Sequence, residues 1–123
     1  MANELILIVE DNEKNRKLVR DLLRVKGYAT IEAETGEDGV RLAAERRPAL
    51  VLMDIQLPGI NGITALGRLR SDPATRDIPV MAVTASAMTH DRQKIMAAGF
   101  DGYQTKPINV KEFLAAVRDL LDR

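Results

Sequence analysis

A chain of 123 residues, 46% hydrophobic and 29% charged, has an ordinary globular composition and room for a single domain, expected over 1–123, with a real core. Eighteen basic residues balance eighteen acidic ones, which excludes nucleic-acid binding by bulk charge, and the absence of cysteine excludes disulfides, thiolate metal sites and a cysteine nucleophile. No apolar run approaches the ~18 residues of a membrane span, and Met1-Ala2-Asn3-Glu4 leads into a strand without a leader's basic and apolar regions, so a cytoplasmic location is expected.

Five strand–helix alternations follow in order. Leu5–Val9 is an apolar, β-branched run that reads as a buried parallel strand, and it ends in Glu10-Asp11. A helix is predicted over 12–26, with Leu18, Leu22 and Val25 on its apolar face, Val19 and Leu23 widening the stripe, and Gly27 stopping it. A short strand over 28–32 precedes a helix opened by Thr35-x-x-Asp38 and closed near Arg47 by Pro48. The third strand is predicted over 49–53, directly before Asp54 and the turn-rich stretch Gln56 to Gly62. A helix over 62–70, a Ser71-Asp72-Pro73 loop and a strand over 78–83 come next. A helix over 88–98 stopped by Gly99, a strand over 102–105 and a helix from Asn109-x-x-Glu112 to Leu121 complete the chain. Strands alternating with helices imply right-handed crossovers and a parallel sheet. The flavodoxin-like order 2-1-3-4-5 is among the few topologies left, beside other doubly wound sheets.

The carboxyl edge of such a sheet is where ligands bind. The predicted strand ends bring Glu10, Asp11 and Asp54 to that edge, with Thr84 after the fourth strand and Lys106 after the fifth. Clustered carboxylates repel unless a cation holds them, so a hard ion such as Mg²⁺ is expected beside a reactive acid. A carboxylate can attack phosphorus, and positioning plus charge neutralisation supply most of what phosphoryl transfer needs. Taken singly, each residue has a plainer reading. Asp11 and Thr84 are cap or turn formers, Lys106 a solvated lysine, Tyr103 a packing residue and His90 a surface residue of the fourth helix. Their joint order at successive strand ends is what singles them out.

Ile6-Leu7-Ile8-Val9-Glu10-Asp11-Asn12, Leu52-Met53-Asp54-Ile55-Gln56-Leu57-Pro58-Gly59-Ile60-Asn61-Gly62, Val83-Thr84-Ala85 and Lys106-Pro107 together resemble the receiver domains of two-component response regulators, over essentially the whole chain. That resemblance implies the (βα)5 flavodoxin-like fold, with Asp54 accepting a phosphoryl group from a histidine kinase or histidine phosphotransfer protein. It implies that Glu10, Asp11, Asp54 and the Gln56 backbone carbonyl hold Mg²⁺, or Mn²⁺ in its place. It implies that Thr84 and Lys106 contact the phosphoryl group, that Thr84 and Tyr103 form a switch, and that the Lys106–Pro107 peptide is cis. Gln56 and Ser86 stand where the family tunes dephosphorylation. Leu57 replaces the family's more usual methionine, a substitution that should pack similarly.

The stretches look most like stand-alone receivers of the DivK or chemotaxis type, and are also common in hybrid histidine kinases. Ending at Arg123, the chain is expected to stand alone or to be an excised receiver. It is expected to be a monomer or weak dimer that binds neither nucleic acid nor membrane, and to catalyse only its own phosphorylation and dephosphorylation. A downstream protein would read the face of helix 4, strand 5 and helix 5, with His90, Arg92, Lys94, Tyr103, Lys111 and Arg118 on it. Helix 1, around Asn15, Leu18 and Val19, is expected to dock the kinase.

Rival readings are a metal-dependent phosphatase, which wants a second acid where Gln56 stands, and a nucleotide-binding module, which wants a glycine-rich phosphate loop that the chain lacks. A structural interaction module that never takes phosphate leaves the complete acidic set without a purpose.

Overall fold

The computed structural model describes residues 4–85 and 89–122, with the backbone alone for residues 89–91; Ser86, Met88 and the His90 side chain lie outside the described residues. The elements are β1 (Leu5–Val9), α1 (Glu13–Val25), β2 (Ala29–Ala33), α2 (Gly36–Arg46), β3 (Leu50–Asp54), α3 (Gly62–Ser71), β4 (Val80–Thr84), α4 (Thr89–Ala97), β5 (Gly102–Thr105) and α5 (Val110–Leu121). The strands form one parallel sheet in the order β2-β1-β3-β4-β5. This is the flavodoxin-like arrangement expected from the sequence.

Strand periodicity divides the core into two. Ile6, Ile8, Leu50, Leu52, Met81 and Val83 face Val19 and Leu23 of α1 and Phe113, Val117 and Leu120 of α5. Leu7, Val9, Val51, Met53, Val80 and Ala82 face Ala43 of α2, Ala65, Leu66 and Leu69 of α3, and Ile95 of α4. Burying a side chain the size of Phe113 contributes about 1.5–3 kcal/mol.

Helix starts follow their caps. The side-chain oxygens of Asn12, Thr35, Asn61 and Asn109 accept from the backbone N–H of Asn15, Asp38, Thr64 and Glu112. Each satisfies one of the amides that a helix start leaves unpaired.

Three expectations shift. β3 runs on through Asp54 rather than stopping before it. β4 starts at Val80, because the Ile78 N–H closes a turn onto the Thr75 carbonyl instead. The face of α1 is rotated: Val19 and Leu23 are buried, while Leu18 is 45% and Val25 84% exposed. In that rotation a second stripe, Arg16, Arg20 and Arg24, lies against β2. Steps of four residues on a helix and two on a strand advance by nearly equal lengths, about 6.0 and 6.6 Å, so the arginine row runs along one face of β2, with Arg16 and Arg20 sharing Glu32 and Arg24 taking Thr30.

Candidate functional site

Sheet register brings the acids together. Val9 pairs with Met53, and Asp54 pairs with Val83, which in turn pairs with Gln104. Glu10 follows Val9, so it leaves β1 at the rung of Asp54. Thr84 stands one residue further along β4, paired with Thr105, and is buried. Lys106 follows β5, and its backbone N–H donates to the Thr84 carbonyl. The Lys106–Pro107 peptide is cis.

The Lys106 ammonium lies between two carboxylates. Its Nζ donates to Glu10 Oε1 at 2.6 Å and to Asp54 Oδ2 at 3.0 Å. Asp54 Oδ1 accepts the Gln56 N–H at 3.1 Å, which brings the Gln56 backbone to the site. Glu10 Oε2 accepts the Asn12 N–H at 3.2 Å. Ile8, Val19, Leu52 and Val83 line the space beneath Glu10 and Asp54, so the acids stand on an apolar floor.

Burial pushes the Glu10 carboxyl above the ordinary glutamate range, and the neighbouring Asp54 carboxyl pushes it the same way against the pull of Lys106. Burial alone would lower the Lys106 ammonium, but its hydrogen bonds to Glu10 and Asp54 outweigh that and raise it. Asp11 is exposed at the rim. Glu10, Asp11 and Asp54 each offer an oxygen, all within 4.8 Å of one another. An all-oxygen, all-carboxylate donor set fits a hard divalent cation, Mg²⁺ or Mn²⁺, and suits no soft ion.

Residues 6–118 match the model of the response regulator receiver domain family. The chain belongs to that family. The receiver is 46% identical over 116 residues to the polar-differentiation response regulator DivK of Brucella anthropi, covering 94% of each chain. It is 45% identical to the DivK of Brucella ovis over the same length. Among solved structures it superposes on the receiver domain of the sensor histidine kinase PA1611 from Pseudomonas aeruginosa with a TM-score of 0.92 at 32% identity, covering 99% and 100% of the two chains. That domain was crystallised with magnesium coordinated in its active-site cleft. A putative response regulator from Chloroflexus aurantiacus matches with a TM-score of 0.94 at 29% identity, over 98% and 99% of the chains.

The predicted signalling face of the receiver is only partly assembled. Arg92 stacks over the half-buried Tyr103 ring at 5.4 Å. Lys111 and Arg118 turn elsewhere. They line a groove with Lys26 and Tyr28, and Arg118 donates to Tyr28 Oη at 3.2 Å and to Glu4 Oε2 at 2.8 Å. The helix phase explains it: Phe113, Val117 and Leu120 take the buried stripe of α5, and the next stripe faces the end of α1.

Sequence reading missed Arg16. Its place in the row Asn12, Arg16, Arg20, Arg24, spaced by four, was a visible signal that its side chain lies on the face of the helix that meets β2.

Proposed function

We propose that Asp54 is the phosphoacceptor of a two-component or phosphorelay pathway, taking its phosphoryl group from a histidine kinase or histidine phosphotransfer protein. The observation carrying this reading is the Lys106 bridge between Glu10 and Asp54 at the carboxyl edge of the sheet. The bridge neutralises acids that must otherwise repel, and it sets an ammonium against the nucleophile.

A bound Mg²⁺ supplies neutralisation of phosphoryl oxygens, and Glu10, Asp11, Asp54 and the Gln56 carbonyl would hold it. Lys106, whose ammonium already lies against Asp54, would pair a phosphoryl oxygen there. An Asp54 oxygen attacks phosphorus as the bond from phosphorus to the donor's imidazole nitrogen breaks. The imidazole, protonated on its other ring nitrogen, keeps that electron pair and leaves neutral. The Thr84 hydroxyl then donates to the new phosphoryl group.

The donor's path is supported by a groove of Asn15, Leu18, Val19, Pro107 and Ile108 that leads from α1 to Glu10 and Lys106. The added charge of about −1.5 to −2 draws Thr84 inward and favours an inward Tyr103. A downstream protein then reads α4, β5 and the adjoining edge of α5. The receiver catalyses only its own phosphorylation and dephosphorylation. Among the described residues no helix is long and apolar enough to cross a membrane, which is compatible with work in the cytoplasm.

Incubation with acetyl phosphate and Mg²⁺, read by intact mass, tests the assignment. One phosphoryl adduct is expected, absent without Mg²⁺ and absent in Asp54→Asn. An adduct that persists in Asp54→Asn would refute it.

A further inference from the structure

We infer that Arg16 is a positioning residue for the cation site, acting through the backbone of Glu10. The inference rests on the Mg²⁺-assisted reading above. Four separate bonds hold Glu10. Its N–H donates to the Ala33 carbonyl at 3.0 Å, and its carboxylate accepts from Asn12 N–H and Lys106 Nζ. Its carbonyl accepts from Arg16 Nη1 at 3.0 Å. Two of the four come from side chains, Lys106 and Arg16, and only that of Arg16 falls on the Glu10 backbone. Arg16 is itself held: Nε donates to Glu32 Oε1 at 3.2 Å, Nη1 lies 3.4 Å from Glu34 Oε1, and the side chain is only 15% exposed. Its backbone N–H also donates to the Asn12 carbonyl at 2.9 Å. One residue thus ties both ends of the segment that carries Glu10 and Asp11. The planar guanidinium presents separate nitrogens to the two acceptors, Nε to Glu32 and Nη1 to the carbonyl, a fixed fork that a single ammonium nitrogen does not reproduce.

Charge and position make opposite demands here. As a cation near three carboxylates, Arg16 opposes a second cation, so its removal should tighten Mg²⁺ binding if charge is all it contributes. As a brace, its removal should loosen the acids and weaken binding. Outer residues that orient metal ligands are typically worth about 10- to 100-fold in affinity.

Calorimetric titration of Mg²⁺ into the unphosphorylated protein, into Arg16→Ala, Arg16→Lys and Arg20→Ala, separates the two. About a tenfold weaker Kd is expected for Arg16→Ala, and a similar loss for Arg16→Lys, which keeps the charge. Arg20→Ala, which also loses a Glu32 partner but does not touch Glu10, should bind as the unsubstituted protein does. The rate of modification by acetyl phosphate should recover in Arg16→Ala once Mg²⁺ saturates. Equal or tighter binding by Arg16→Ala would overturn the inference, as would full affinity in Arg16→Lys. If Arg16→Ala fails to fold, Arg16→Lys decides alone. Failure of the unsubstituted protein to bind Mg²⁺ would overturn the proposed function as well.

Discussion

Lys106→Met keeps most of the aliphatic stem and deletes the ammonium that bridges Glu10 and Asp54. At 2.6 and 3.0 Å, with an effective dielectric constant of about 20, each attraction has a gross size of about 5–6 kcal/mol. Desolvation of the three charged groups and the repulsion between the acids offset most of that. Removing one partner of a buried pair costs about 3–5 kcal/mol. Lys106 retains 17% exposure, so water screens part of the loss and about 2 kcal/mol is expected at neutral pH. The loss should shrink in acid, because Glu10 takes up a proton more readily once its ammonium partner is gone. Urea unfolding followed by far-ultraviolet circular dichroism, in chelator at about pH 7.5 and about pH 5, measures both. Saturating Mg²⁺ should return most of the difference, since a cation on the acids replaces the missing charge. An unchanged midpoint at neutral pH, or an equal loss at both pH values, would refute the electrostatic account of the bridge.

Two further outcomes follow from the same geometry. In Gly62→Ala the new Cβ would press on the Asp54 carbonyl and lie 2.9 Å from Ile55 Cα, both backbone; chemical denaturation should show a loss of about 1–3 kcal/mol, with slower modification of Asp54 by acetyl phosphate. Glu10 is raised above its ordinary 4.5, so its contribution to stability is present below that value and is lost as pH rises through its folded pKa. Mg²⁺ needs the ionised form, so Mg²⁺ affinity and the stabilisation by Mg²⁺ should both grow over that window, and a pH-independent Kd would contradict the raised carboxyl.

Much of this was legible in the chain because it depends on counting along strands. Runs such as Leu5–Val9 have one physical solution in a small α/β domain, and Asp54 and Lys106 take their places from the strand ends beside them. Helix phase was less legible. Leu18, Leu22 and Val25 make a plausible stripe on paper, yet Val19 and Leu23 enter the core, with Arg16, Arg20 and Arg24 turned to β2. The same limit misplaced Lys111 and Arg118. Polar contacts between elements far apart in sequence, such as Arg16 to the Glu10 carbonyl, require both the topology and the rotation of α1. One unexpected cap also resisted prediction: Arg47, not a glycine, takes the left-handed conformation at the end of α2, with φ 45°. Pro48 accounts for the stop but not for that choice.

The division of the core by alternate residues of β1, β3 and β4 sets what kinds of sequence change this protein can absorb. Exchanging one aliphatic side chain for another inside Leu50–Met53 alters packing on one side of the sheet and leaves Asp54 on its rung. Losing or gaining a single residue there is different in kind. It would transpose every following side chain of the strand between the two cores and move the acid by about 3.3 Å along the strand direction. Composition in these strands is therefore negotiable, whereas their length in residues is a dimension of the site itself.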